Sequence, residues 1–479
     1  MSLKPLSQAV HNKSASTLVG VLFLFSDLTV LLGSFSLASQ IRLVLIPYLG
    51  GVVSWPVYRP MVFLGMVYVV ILFYFNNLYP GYGKTAVKEI EKTSTLLTMV
   101  FLFLGGTTYL LSISEIFSRL IFILAWIFSI ILVPVFRIFI RNRILKYQWY
   151  GIPVLFVTDG TAVDSILTAL NNCRRMGWNP VAVFSLNINN EDLENISIPV
   201  IQSWDKFLNL KKKQQVKTAL FSAIHSQENS RWLRRITEEF RTVTLIIPYY
   251  NLGSLWVKPR DLEGHLGLEI TYHLLGSVSK NIKRLIDIIG SIVLLILLSP
   301  LFFVLSIIIQ IQSSHPIFYS QKRLGKDKQE YDALKFRSMV NSADDILKDY
   351  LEEDPKAMAE YREFHKLSKD PRITRVGGFL RKYSLDELPQ LWNVLRGDMS
   401  LIGPRAYLPS EMDDIGGFTE IIHRVRPGMT GWWQVMGRHT TTFQYRLRLD
   451  EYYISNWSLW MDLYIIYKTF WVVIQGTGT

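Results

Sequence analysis

Cysteine is almost missing: Cys173 is the only one in 479 residues, so no intrachain disulfide can form. That suits a chain facing a reducing compartment such as the cytoplasm. Charge is also scarce. Charged residues make up 19%, against roughly 25% in soluble domains, while apolar residues reach 49%. This balance points to a membrane protein with soluble parts. Internal repeats and low-complexity tracts are absent. The first 15 residues, with Lys4, His11 and Lys13, lack the apolar core of a signal peptide, so the first long apolar run is expected to stay as an anchor. The dinucleotide fingerprint G-x-G-x-x-G is missing as well, since Gly160 has no second glycine two residues on. What is in excess is positive charge, a formal net +12. Nucleic acid, anionic lipid and phosphate-bearing substrates all fit such a charge, and the long apolar runs favour the last two over nucleic acid.

Four apolar segments come first, at about 18–41, 60–75, 96–111 and 120–140. Each is close to the ~20 residues that span a bilayer as a helix. Asp27 is an acid inside the first, expected to pack against a neighbouring helix. Lys4 and Lys13 precede the first segment. Lys84, Lys88 and Lys92 lie between the second and third, and Arg137, Arg141, Arg143 and Lys146 close the fourth. The positive-inside rule places the amino terminus, that middle loop and everything after Lys146 in the cytoplasm of a multi-pass inner (cytoplasmic) membrane protein. The expected domains are residues 1–146, a four-helix transmembrane bundle; 147–275, a cytoplasmic Rossmann-like α/β domain; and 276–479, an α-rich catalytic domain.

In the middle domain short apolar runs at 152–157, 181–185, 199–201, 218–221 and 243–247 alternate with helical stretches such as 162–176. That alternation predicts a parallel sheet of the doubly wound type. Without the glycine fingerprint, a regulatory or dimerising domain is the preferred expectation over a dinucleotide site.

The last domain opens on an apolar stretch at about 283–312. Lys280, Lys283 and Arg284 flank one end and Lys322, Arg323, Lys326 and Lys328 the other. A fifth full span is one reading. With basic residues at both ends, a re-entrant membrane helix is the preferred one, broken near its middle by Pro300, with Ser299 satisfying a freed backbone group. A plain surface helix is expected at 343–359. The aromatic-rich helix at about 457–474 either lies in the membrane interface or faces a core.

The chemistry centres on Ser384-Leu385-Asp386-Glu387-Leu388-Pro389-Gln390. Ser384 and Glu387 match a capping box, with Asp386 in the first turn of a helix. Read as chemistry, the adjacent carboxylates supply a nucleophile and a place for Mg²⁺, which takes one or two carboxylates plus substrate phosphate. Lys335, Arg337, Arg405, Arg426 and Arg438 stand near turns, where Arg and Lys contact phosphates. Gly403 and Gly428 are expected to let the backbone approach a ligand. Together these point to phosphoryl transfer at a diphosphate beside a membrane.

Several stretches also carry a family resemblance. They are Lys283-Arg284 with Asp287, Ser299-Pro300, Lys335-Phe336-Arg337-Ser338-Met339, 384–390, 398–405 and 426–434. In order over about 280–479 they resemble the bacterial sugar transferases, the monotopic phosphoglycosyl transferases. The four amino-terminal spans and the α/β segment resemble the long form, typified by undecaprenyl-phosphate galactose phosphotransferase. The resemblance implies that Asp386 attacks the sugar-bearing phosphate of a UDP-sugar, releasing UMP, and that undecaprenyl phosphate then takes the phospho-sugar. It implies Mg²⁺ held by Asp386 and Glu387. Lys283, Arg284 and Asp287 would fix the start of the re-entrant helix, and Ser299-Pro300 its bend. Lys335, Arg337, Arg405 and Arg426 are expected around the phosphates, with Gln434, Arg438 and Asp450 as further substrate-binding candidates. Galactose and glucose are the expected sugars, O-antigen, capsule or exopolysaccharide synthesis the setting, and a homodimer the expected assembly. A non-enzymatic membrane scaffold is the alternative. Two residues depart from the family pattern: Ala406, where Pro usually follows the Arg, and Trp433.

Overall fold

The computed structural model describes residues 13–50, 54–112, 117–147, 149–159, 173–186, 198–222, 227–246, 257–262, 265–270, 274, 276–312, 316–340, 343–353, 358, 370–436 and 442–476. Arg438 and most of the helical stretch expected at 162–176 lie outside them. The chain forms two compact units, 1–250 and 251–479.

The first unit begins with four long apolar helices: α1 (Lys13–Val44), α2 (Trp55–Phe75), α3 (Ala86–Leu110) and α4 (Arg119–Ile144). All four are long and apolar enough to cross a membrane. In lipid the hydrophobic effect does not drive helices together, so close packing and polar pairs must. Close packing is visible at Gly65, where an added Cβ would meet Leu104 at 3.2 Å. The polar pairs form a buried group at one end of the bundle. Arg137 on α4 holds Asp27 on α1 by two bonds, Nε to Oδ1 at 2.8 Å and Nη2 to Oδ2 at 2.6 Å. Its Nη1 reaches Glu89 on α3 at 3.2 Å. Arg141 joins the same Glu89 at 2.9 Å and Tyr150 at 3.2 Å. Asp27 therefore packs as expected, with a partner 110 residues away.

The sheet that follows has strands β1 (Ile152–Thr158), β2 (Trp178–Ser185), β3 (Val200–Ile201), β4 (Thr218–Ser222) and β5 (Thr242–Leu245). All pairs are parallel, in the order β3-β2-β1-β4-β5. This is the doubly wound order with its reversal beside β1. Helices α5 (Trp204–Lys213) and α6 (Gln227–Glu239) connect strands. Leu155, Val157, Ala182, Phe184 and Phe207 form a core on one face. Near-continuous apolar strands are what a parallel sheet covered on both faces requires.

The second unit carries a hairpin, β6 (Val257–Leu262) and β7 (His265–Ile270), then the 36-residue helix α7 (Ser277–Gln312). Only 11% of its most apolar stretch is buried. The expected break at Pro300 does not interrupt it: the helix runs on through that residue. The reason lies next door. Pro300 has no N–H to offer the carbonyl of Ile296, and the Ser299 hydroxyl donates to that carbonyl instead, at 2.8 Å. Both ends of α7 are fastened to the same folded body. Near the start, Asp287 accepts from Leu401 N–H and Ser400 Oγ. Towards the end, Leu305 and Ile309 pack with Phe336 and Leu380, and Gln312 accepts from Val376 N–H at 3.2 Å.

That body contains the antiparallel hairpin β8 (Phe318–Leu324) and β9 (Glu330–Phe336), and helices α8 (Ala343–Glu353), α9 (Arg375–Lys382) and α10 (Gln390–Arg396). The parallel pair β10 (Ser400–Ile402) and β11 (Gly428–Thr430) follows, then α11 (Phe443–Asn456) and α12 (Leu459–Ile474).

Candidate active site

The Asp386–Glu387 pair stands in a short 3-10 turn, Leu385–Glu387, between α9 and α10. The capping box expected at Ser384 is not formed. Ser384 adopts the left-handed conformation, φ 54°, and its side chain makes no cap bond. Its N–H bonds to Arg381 O at 3.1 Å, so it closes the preceding helix instead of opening the next. A left-handed residue in that place is the usual way to end a helix, though Gly is the usual residue. The left-handed Ser384 reverses the chain just before Asp386 and Glu387, with Leu385 and Leu388 packed into the cluster that holds the last third of α7.

The β8–β9 hairpin brings the cations. Its register sets Lys335 opposite Tyr319 and Arg323 opposite Tyr331, so Lys335 and Arg323 share a face by the period of two. Lys335 Nζ donates to Glu387 Oε1 at 2.7 Å. Arg323 donates to Ala406 O at 2.9 Å and to Gln321 Oε1 at 2.8 Å. The first of these bonds steadies the backbone at Ala406, where the family's proline is missing. β9 is itself held against α10 by the buried Asn393, which accepts from Leu334 N–H at 2.9 Å and donates to Asp332 O at 2.8 Å. The sequence pattern assigns neither Arg323 nor Asn393 to the site. Arg323 sat in a basic run taken as a membrane flank. Asn393 is signalled only as one amide in an otherwise apolar helix.

From α9, Arg381 is aimed by a bond from its Nε to Ser338 Oγ, 2.9 Å, and its charge acts on Asp386. The close approach of α9 to Ser338 requires Gly377, where an added Cβ would overlap the Ser338 carbonyl oxygen.

The two carboxyls are displaced in opposite directions. Asp386 is 7% exposed. Burial pushes its pKa up, with the Glu387 charge adding to the rise, against Lys335 and Arg381. Glu387, with a side chain 36% exposed, also pays for desolvation. There Lys335 outweighs it, with Arg323 and Arg405 behind, and the carboxyl is held below its ordinary range. A split of this kind between neighbouring carboxyls is a mark of assigned roles.

Arg405 follows β10. Its guanidinium lies 5.3 Å from the ring centroid of Trp433, and that of Arg446 lies 5.4 Å from the same ring. Arg405 Nε, Arg446 Nε and Trp433 Nε1 are buried and have no hydrogen-bond partner among the described residues. Asp450 supports this loop: its Oδ2 accepts from Arg405 N–H at 3.0 Å and from Tyr407 OH at 2.9 Å. Burial raises its pKa to about 7. Its observed contacts make it a positioning residue, where the sequence reading had it touch substrate. Gln434 donates to Met429 O at 3.2 Å. Arg337 is the first residue past β9, its N–H bonded to Ile317 O at 2.9 Å.

Arg426 does not join this group. Its Nε donates to Gly397 O at 2.6 Å, just past the far end of α10. Gly403 and Gly428 lie close to each other. A Cβ on Gly428 would overlap Gly403 N, and one on Gly403 would lie 2.6 Å from Gly428 N. Their lack of side chains lets β10 and β11 cross tightly.

Among the described residues no cluster of three or more His, Cys, Asp or Glu is placed to hold a metal. The adjacent carboxylates of Asp386 and Glu387 nevertheless fit Mg²⁺, which takes one or two carboxylates and completes its shell with phosphate and water. The Lys335 ammonium on Glu387 shows that the turn accepts a cation.

Comparison with known proteins agrees with the layout. The bacterial sugar transferase family model matches residues 278–476, and a CoA-binding domain model matches 77–248. A UDP-galactose-lipid carrier transferase of Erwinia amylovora is 33% identical over 398 residues, 82% of each chain. An undecaprenyl-phosphate galactose phosphotransferase of Salmonella typhimurium is 34% identical over 369 residues, 76% of each. An undecaprenyl-phosphate glucose phosphotransferase of Komagataeibacter xylinus is 37% identical over 200 residues, 39% of this chain and 35% of its own.

Proposed function

This chain belongs to the bacterial sugar transferase family, and on that footing we propose that it transfers a hexose-1-phosphate from a UDP-hexose to undecaprenyl phosphate, starting a cell-surface polysaccharide. One observation carries the reading. The buried Asp386 and the cation-held Glu387 share a turn that packs directly on the apolar helix α7. On this reading the turn would bring a carboxylate nucleophile and a phosphate-binding set next to a route to lipid.

The chemistry runs in two displacements. An Asp386 carboxylate oxygen attacks the phosphorus bearing the sugar, the bond to the UMP oxygen breaks, and UMP leaves. An oxygen of undecaprenyl phosphate then attacks the same phosphorus, and the Asp386 carboxylate departs. Lys335, Arg323 and Arg405 would hold the phosphates and offset the charge spread over phosphoryl oxygens in each transition state. Arg405, Arg446 and Trp433 would supply the unpaired N–H groups to the nucleotide. Mg²⁺, held by Asp386 and Glu387, would neutralise diphosphate charge when bound.

The anchoring of both α7 ends to one body supports the re-entrant reading, with the catalytic unit facing the cytoplasm as the flanking cations suggest. The relatives named for galactose outrun the one named for glucose in coverage, which favours galactose.

UMP release by the purified protein, across a panel of UDP-sugars with Mg²⁺ and undecaprenyl phosphate, tests the proposal. Release is expected with UDP-galactose or UDP-glucose and should vanish in Asp386→Asn while the protein stays folded. Normal turnover in that variant would overturn the nucleophile, and no release with any UDP-sugar would favour a scaffold.

A further inference from the structure

At the opposite end of α10 from the Asp386 turn lies a second cationic place. α10 has seven residues, so about 10 Å of helix at 1.5 Å per residue separates the two. A cavity of about 70 Å³ is lined there by Lys280, Lys283, Arg284, Lys326, Arg424 and Arg426, with Asp287 the one carboxylate in the lining. Part of that charge is internally matched. Lys283 pairs with Asp287 at 2.8 Å and Asp462 at 3.3 Å, and Lys326 with Asp327 at 3.2 Å. Lys280, Arg284, Arg424 and Arg426 have no carboxylate at ion-pair distance among the described residues.

Two of these are fixed in place by backbone. Arg284 donates to Val394 O at 2.6 Å and Leu395 O at 2.8 Å, and Arg426 to Gly397 O at 2.6 Å. The carbonyls closing α10 thus hold two guanidiniums near each other, and each repels the other. Backbone carbonyls orient such a pair but do not neutralise it; a bound anion would.

The cavity's position on α7 indicates the source of that anion. Beyond the cavity the helix surface turns apolar and exposed at once: Leu285, Ile289, Ile292 and Val293 are all open. The site is therefore at the depth where a membrane helix passes the headgroup layer. Its volume exceeds the ~10–15 Å³ one water needs and falls well short of the ~300 Å³ of organic-ligand pockets, which suits a phosphoryl group. We propose that this cavity binds the phosphate of an anionic glycerophospholipid and so anchors the start of α7 at the membrane surface. Basic pockets at the membrane face commonly take such headgroups. The site does not depend on the reaction, only on α7 lying in lipid.

The full chain, delipidated in detergent, would be titrated with dioleoyl phosphatidylglycerol, dioleoyl phosphatidylcholine and inorganic phosphate, with bound lipid read by native mass spectrometry. Phosphatidylglycerol is expected to be retained at least tenfold better than phosphatidylcholine. Lys280→Gln/Arg424→Gln, both exposed and outside the catalytic group, should lose that preference. The charge-matched control Lys212→Gln/Lys213→Gln on α5 should keep it. Equal retention of the two lipids, or an unchanged preference in Lys280→Gln/Arg424→Gln, would overturn the proposal. Displacement of phosphatidylglycerol by equimolar inorganic phosphate would assign the site to a soluble phosphate instead and overturn the lipid.

Discussion

Lys335 Nζ donates to Glu387 Oε1 at 2.7 Å, and that bond separates the two carboxyls of one turn. Glu387 takes the cation and is held ionised, while Asp386, more deeply buried, has its pKa raised. A desolvated carboxylate is the better nucleophile once ionised, and ionising it is what the neighbouring cations promote.

A pH dependence follows. As the proposed nucleophile Asp386 must be ionised to attack, so activity should fall as pH drops through its pKa, which lies above the ordinary value near ~3.9. Lys335 is the largest influence lowering that pKa. Lys335→Met should therefore move the acid limb of kcat/KM to higher pH, as well as lowering the plateau by roughly 10²-fold or more through lost phosphate contact. UMP-release profiles for the two proteins measure the shift. An unmoved limb would limit Lys335 to the phosphates.

Asp450 gives a second test, in stability. Its pKa is raised to about 7 by burial, so the folded chain binds a proton between pH ~4 and ~7 that the unfolded chain releases. The sign follows: this residue's contribution to stability falls as pH rises through that window and is constant above it. Asp450→Asn, which keeps an acceptor for Arg405 N–H and Tyr407 OH, should remove that part of the slope. The difference in Tm between the two proteins, followed from pH 4 to 8, should change across the window and flatten beyond it.

In the bundle, Asp27 and Arg137 are each essentially fully buried. Removing Asp27 leaves Arg137 and Arg141 to share Glu89, one buried cation in excess, so Asp27→Leu alone should destabilise the bundle by about 3–5 kcal/mol. Arg137→Met alone is expected to cost less, because Asp27 keeps its bond from Tyr79 at 3.1 Å and a carboxyl can protonate where a guanidinium does not release its proton. The double variant should recover much of the loss from Asp27→Leu. Thermal unfolding of the detergent-solubilised proteins gives the coupling.

The strands of the sheet were readable because period and length carry them. β1, β4 and β5 each fall within a residue or two of the apolar runs at 152–157, 218–221 and 243–247. The Asp386–Glu387 pair and Lys335 were readable because few arrangements place carboxylates and cations among so many small and apolar residues. Arg426 was misplaced because a sequence shows that an Arg stands near a turn, and not which end of a seven-residue helix the turn meets. Ser384 was misread because a capping box and a helix-closing left-handed residue use overlapping letters; backbone φ separates them.

Hydrophobic pattern alone determined the four bundle helices, the parallel sheet and the long helix α7, since each is a local rhythm of apolar residues set by the geometry of one element. Motif residues were enough to point to the sugar transferase family, since they recur in order over about 280–479. Tertiary structure alone decided the rest. It paired Asp27 with Arg137, gave Lys335 to Glu387 and not to Asp386, and sent Arg426 to the mouth of α7. The reason is physical. Ion pairing and desolvation depend on distances between elements that meet only on folding, and along the chain those residues lie tens to more than a hundred positions apart.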